Sequence, residues 1–179
     1  MYKDNSLIPS ESVRLAALGI LAQAPKSYAE LASEVRHFSS RIVGPSLELM
    51  GPSLELLRVE GLVKAEDEAA DHETAVLSIT EAGRDELRRL LTANLRGPIG
   101  EVNKLIIALK MRFLHLLDPA DQQLQAEILA DICERELARL TDLRQHHAGD
   151  PGHLVPWLDH DIGEVEGRLD WFRALQDRL

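Results

Sequence analysis

The residues best equipped for chemistry crowd one stretch: His146, His147, Asp150, His153, Asp159, His160 and Asp161. Imidazoles and carboxylates together make a ligand set for Zn²⁺ or Ni²⁺. Their spacing follows no ligand pattern such as HExxH, and a polar turn between helices accounts for them equally well. No metal site is assigned. Nucleophilic chemistry has less to work with. The chain holds no phosphate-binding glycine loop, no nucleophile elbow, and no histidine paired with a convincing nucleophile. Cys133, the lone cysteine, shares a helix face with Leu129 and Leu137, which makes it inert core. The expectation is a protein without enzymatic activity and without a cofactor.

Recognition is the remaining kind of chemistry, and residues 44–63 would position it. Leu47, Met50, Leu54 and Leu57 recur at spacings of three and four, so they share one helical face. Ser46 is a good N-cap. Gly51-Pro52 interrupts the pattern early, where a proline costs least because the first amides of a helix have no partner. Gly61 falls where the helix should stop, and Leu62-Val63 begins an extended run. The sequence GPSLEL occurs at 44–49 and again at 51–56; two copies follow from helix patterning and do not make a repeat architecture. The stretch reads as the second helix of a helix-turn-helix running into a wing.

The flanking elements agree. Residues 1–9 form an arm ending at Pro9. Ser10 is expected to cap a helix over 11–23, with Val13, Ala16, Ala17, Ile20 and Leu21 as its apolar stripe. Ser27 and Glu30 have capping-box spacing and open a second helix to about His37, with Leu31 and Val35 inward. Phe38 to Gly44 is expected as a loop. Residues 62–66 and 74–80 alternate as strands do, with 67–73 as the tip between them. Thr80 caps a helix from Glu81 to about Leu95, with Leu87, Leu90, Leu91 and Leu95 inward. The order of three helices, a hairpin and a helix is that of a winged helix.

Three motifs carry a resemblance. Ser46, then Met50-Gly51-Pro52-Ser53-Leu54, then Val59-Glu60-Gly61-Leu62-Val63 resemble the recognition-helix segment of PadR-type transcriptional regulators; the family's usual tyrosine position is Gly51 here. Ile79-Thr80-Glu81-Ala82-Gly83-Arg84 is similar to the segment that follows the wing in that family. Arg168-Leu169-Asp170-Trp171-Phe172 resembles the end of the helical C-terminal domain of the virulence-activator kind. The N-terminal likeness covers about 15–95. It implies operator binding by a homodimer, sometimes relieved by a small-molecule effector.

Arg96-Gly97-Pro98-Ile99-Gly100 reads as a domain boundary. It gives a winged helix-turn-helix domain at 1–96 and a helical dimerisation or effector domain at 97–179. Three helices are expected in the second. The first spans Glu101 to Leu117, and its broad apolar face, including Leu105, Leu109 and Phe113, asks for a partner. Asp118-Pro119 caps the next, which runs to about Gln145. The last starts near Leu154, and Leu158, Ile162, Val165, Leu169 and Phe172 follow the four-three alternation of a coiled-coil seam. These eight residues are the expected dimer contacts. Trp157 and Trp171 are large enough to line an effector pocket.

Charge complicates DNA binding. The net charge is −10 over 179 residues, with ten basic and fifteen acidic residues in 1–95 and again in 96–179. Phosphate neutralisation supplies much of a nucleic-acid binder's affinity. Across Ser46–Glu73 only Arg58 and Lys64 are basic, against eight acidic residues, whereas PadR-like wings usually hold several cations. Lys3, Arg36, Arg41, Ser46, Leu49, Pro52 and Ser53 are the expected contacts with double-stranded DNA. The alternative is a winged-helix dimer without DNA binding, whose outward Leu49, Leu56 and Val59 serve a protein partner. No stretch approaches eighteen consecutive apolar residues, so no membrane partner is expected. The N-terminus lacks a signal-like apolar core, and one cysteine suits a reducing cytoplasm.

Overall fold

The computed structural model describes residues 9–44, 50–67, 74–95, 99 and 101–179. The chain is mainly helical and forms two compact units. The first holds α1 (Pro9–Gln23), β1 (Lys26–Ser27), α2 (Tyr28–Val43), α3 (Met50–Val59), β2 (Val63–Ala65), β3 (Val76–Ile79), α4 (Glu81–Thr92) and α5 (Glu101–Phe113), closed by a 3₁₀ turn over Leu114–Leu116. This is a winged helix with one further helix.

The core is built around α1, which packs against α2, α3, α4, α5 and β3. Leu15, Ala16, Ala17, Leu18 and Ile20 are all buried, so this helix is apolar on nearly every side rather than along one stripe. Pro9 opens α1 and Ser10 lies inside it, so the expected serine cap is displaced. A proline is well suited to a first turn, because its missing N–H had no partner there.

Helix α2 runs to Val43, past the expected end at His37. Ser39 is buried along it, and the stop comes at Gly44 with φ +86°. The sheet has three strands in the order β1-β3-β2, all antiparallel, where two were expected. Lys26 faces Leu77 and Ser27 faces Val76; Val63, Lys64 and Ala65 face Ile79, Ser78 and Leu77. A two-residue strand carries no periodic signal, which is why β1 is invisible in sequence.

The expected boundary lies largely outside the described residues. The packing divides the chain after Leu117, which places α5 with the first unit. Leu105, Leu109 and Phe113 are buried within the single chain, where α5 packs on α1 and α2. Gly19 on α1 makes room for the Phe113 ring; any Cβ there would collide with it. The wide apolar face of α5 is thus covered by helices of the same chain.

The second unit is a helical hairpin of α6 (Pro119–His146) and α7 (Leu154–Gln176). Asp118 caps α6 by accepting from the Asp121 N–H at 3.0 Å, with Pro119 in the first turn. Arg144 meets Asp159 at 2.8 Å near the turn and Arg173 meets Glu134 at 2.8 Å further along, so the two helices run antiparallel. Leu158, Val165, Leu169 and Phe172 are buried and Ile162 is half-buried. Their four-three alternation faces α6 of the same chain, which accounts for the seam without a partner.

Candidate nucleic-acid interface

Helices α2 and α3 and the hairpin after them form the surface that could meet a nucleic acid. The start of α2 and the exit of α3 are each fixed by a specific device. At the start of α2, the Ser27 hydroxyl accepts from the Glu30 N–H at 3.3 Å, and the Glu30 carboxylate accepts from the Ser27 N–H at 3.0 Å. The Ser27 N–H and hydroxyl both donate to the Glu30 carboxylate and hold it below its ordinary value.

Helix α3 ends in a Schellman arrangement. Gly61 sits at φ +72°, its N–H donates to Arg58 O at 3.0 Å, and the Leu62 N–H donates to Leu57 O at 2.9 Å. The Thr80 hydroxyl then binds this turn, lying 2.7 Å from Gly61 O and 3.0 Å from Leu62 O. The same oxygen accepts from the Gly83 N–H at 3.1 Å and so caps α4. Gly83 lies directly against the Leu62 carbonyl, with no space for a side chain. One threonine thus locks the exit of α3 to the entry of α4.

An ion network holds the same end of α3. Arg14 on α1 reaches Glu60 at 2.7 Å and Glu86 on α4 at 3.3 Å. Glu86 also binds Arg89 at 2.7 Å, and Arg89 returns to Glu11 on α1 at 2.9 Å. The hydrogen bond from Arg89 is the main cause that lowers the Glu86 carboxyl, against the upward push of burial.

A second network ties α5 to α2. Glu34 accepts from Arg112 and meets Lys26 at 3.2 Å, while the Arg112 guanidinium lies 4.9 Å over the Phe38 ring. Burial would raise the Glu34 carboxyl, and the two cations outweigh it and hold it low. Lys110, only 1% exposed, donates to Leu91 O at 2.6 Å and to Ala93 O at 2.7 Å, closing the last turn of α4. Burial pushes its ammonium down to about 7. Sequence reasoning missed all of these pairs. Apart from Glu86–Arg89 and Lys26–Glu34, they join residues 17 to 78 positions apart, which no local pattern signals.

The expected contact residues are only partly placed. Arg36 and Arg41 are exposed on α2. Pro52 and Ser53 lie in the first turns of α3, with side chains outside the described residues. Lys3, Ser46 and Leu49 lie outside the described residues altogether. Leu54 and Leu57 are buried, whereas Leu56 is 48% and Val59 81% exposed. Arg58 and Lys64 are exposed as well.

A family model described as "Putative AphA-like transcriptional regulator" matches residues 2–176. The chain belongs to this AphA-like family. Solved structures similar to it include smu.1604c from Streptococcus mutans UA159, at 18% identity and TM-score 0.40, over 92% of this chain and 94% of that one. Bacillus subtilis PadR in complex with operator DNA is 17% identical at TM-score 0.38, over 93% and 97%. The PadR-like regulator BC1756 from Bacillus cereus is 17% identical at TM-score 0.39, over 93% and 96%. Curated protein sequences give no match.

The rest of this AphA-like chain offers weaker chemistry. The histidine and aspartate stretch separates into pairs: His147 Nδ1 lies 2.6 Å from Asp150, Asp159 is held by Arg144, and His160 lies 3.7 Å from Glu164. Among the described residues no three such side chains converge as metal ligands. Cys133 is buried, and burial pushes its thiol up. Trp157 and Trp171 are 57% and 47% exposed, so neither lines an enclosed pocket in the single chain. An open groove of about 470 Å³ lies along α6 and α7, floored by Leu137 and Leu169 and rimmed by Glu134, Asp142, Gln145 and Arg173. Among the described residues no helix is long and apolar enough to cross a membrane.

Proposed function

We propose that the chain is a transcriptional regulator that binds double-stranded DNA as a homodimer and answers to a small-molecule effector. One observation carries the reading. In a chain of a regulator family, α3 is clamped at its exit while the pole opposite Leu54 and Leu57 is left to solvent. A helix held rigidly on one side and bare on the other is what a major groove accepts. Lys3, Arg36, Arg41, Ser46, Leu49, Pro52 and Ser53 remain the proposed contacts, joined by Arg58 and Lys64.

Homodimer formation is supported by α7. Leu154, Trp157 and Trp171 are exposed on it, and Gly163 and Gly167 have open space beside them. In an isologous dimer each contact across this helix would occur twice by symmetry. The α6–α7 groove is the place for an effector. The first unit, with α5 in its core, keeps the proposed DNA-binding role, and the α6–α7 hairpin keeps the proposed dimerisation or effector role.

The reading is tested by fluorescence anisotropy with a labelled duplex, titrated at low and moderate salt against unrelated competitor. Binding that weakens as salt rises is the expected result. A second reading, a winged helix that serves a protein partner, is favoured by the eight acidic and two basic residues of 46–73. It requires that a folded dimer fail to bind any duplex at low salt.

A further inference from the structure

We propose that α3 recognises thymine through Leu56 and Val59, which contact its C5-methyl group in the major groove. The proposal rests on the DNA-binding reading and adds what is read. Leu54 and Leu57 are 2% and 1% exposed and anchor one side of α3. The opposite pole of the described part carries Leu56 and Val59, and Val59 is 81% exposed. The neighbouring carboxylate of Glu60 is turned inward to Arg14 at 2.7 Å, so it does not stand between this pole and the groove.

Hydrogen-bonded readout needs a polar or charged side chain, and neither of these positions supplies one. The feature of a base edge that an aliphatic side chain recognises is the methyl group of thymine. A protein partner is the competing occupant. A stable protein interface buries roughly 800 Å² on each side around a cluster of large anchors. Two aliphatic side chains fall well short of that, whereas a methyl contact needs one side chain per base. Exposed Arg36, Arg41, Arg58 and Lys64 stand on the same unit and suit the phosphates that flank a groove.

The test uses the full chain. Duplexes are selected from a random library, and the best binder is remade with deoxyuridine in place of thymidine, which removes only the methyl groups. The expected loss is about fourfold for each methyl contacted, the equivalent of about 0.8 kcal/mol. The double variant Leu56→Ala, Val59→Ala is expected to bind the two duplexes equally well. Both side chains are exposed, so its melting temperature should match that of the unaltered protein. Equal affinity of the unaltered protein for both duplexes overturns the proposal and leaves DNA binding intact. A deoxyuridine loss that persists in the double variant also overturns it. A folded chain that binds no duplex at low salt overturns both readings and gives this face to a protein partner.

Discussion

Lys110 is a buried charge with a desolvation cost. It buries an ammonium against two carbonyls, and burial lowers it from 10.5 to about 7. Between those values the unfolded chain holds the proton and the folded chain does not. Stability from this group therefore rises with pH across that window, by at most about 1.4 kcal/mol per pH unit. Denaturant unfolding at pH 7 and pH 9 should show the unaltered protein gaining on Lys110→Met; equal changes in both would contradict the account. Gly61 is costly in another way. At φ +72° any Cβ is strained, so Gly61→Ala should lower stability by about 1 kcal/mol although nothing crowds the site. Gly61 was legible in sequence, because a glycine after an apolar periodic run is a helix stop. Lys110 was not, because its acceptors on α4 are 17 and 19 residues away.

At the scale of elements, caps do much of the positioning. Thr80→Ala removes both the α4 cap and the bond to the α3 exit turn. A cap is worth about 1 kcal/mol. We expect thermal unfolding to drop accordingly, and hydrogen exchange to quicken at Gly83 and across the Gly61 turn together. Exchange that quickens at Gly83 alone would mean that Thr80 does not couple the two elements. The capping boxes and caps at Ser27, Thr80 and Asp118 were readable because each lies within three residues of its partner. The apolar periodicity of α4 and the alternation of β3 were readable for the same reason. The length of α2 was not. Its last turns follow from burial of Ser39 and a glycine stop, not from a stripe of large apolar residues. Position was harder still for α5: its apolar face was plain, but nothing local says that α1 and α2 cover it.

The whole molecule divides where packing, not composition, divides it. A chain ending after Leu117 retains α5 on α1 and α2 and should melt cooperatively. A chain ending at Arg96 loses α5, bares Gly19 and its neighbours, and should melt earlier by several degrees or fail to fold. If the two melted alike, α5 would not belong to the first unit. The C-terminal hairpin illustrates the same limit. Its heptad-like seam was legible, but a seam does not state whether its partner is the same chain or another copy. The surface left over on α7 carries the proposed dimer contact, and Trp157→Ala with Trp171→Ala should shift the sedimentation coefficient towards that of a monomer.

DNA binding by an acidic regulator is the central claim, and salt tests it most directly. Lys3, Arg36, Arg41, Arg58 and Lys64 are five proposed cationic contacts in each protomer, so a dimer would neutralise about ten phosphates. Each contributes roughly 0.9 to the slope of log affinity against log salt. Anisotropy titrations of the folded protein on duplex DNA across several salt concentrations are predicted to give a negative slope no steeper than about −9. Measurable binding with that dependence supports a groove-reading regulator with few phosphate contacts. A folded dimer that shows no affinity for any duplex at low salt would contradict it.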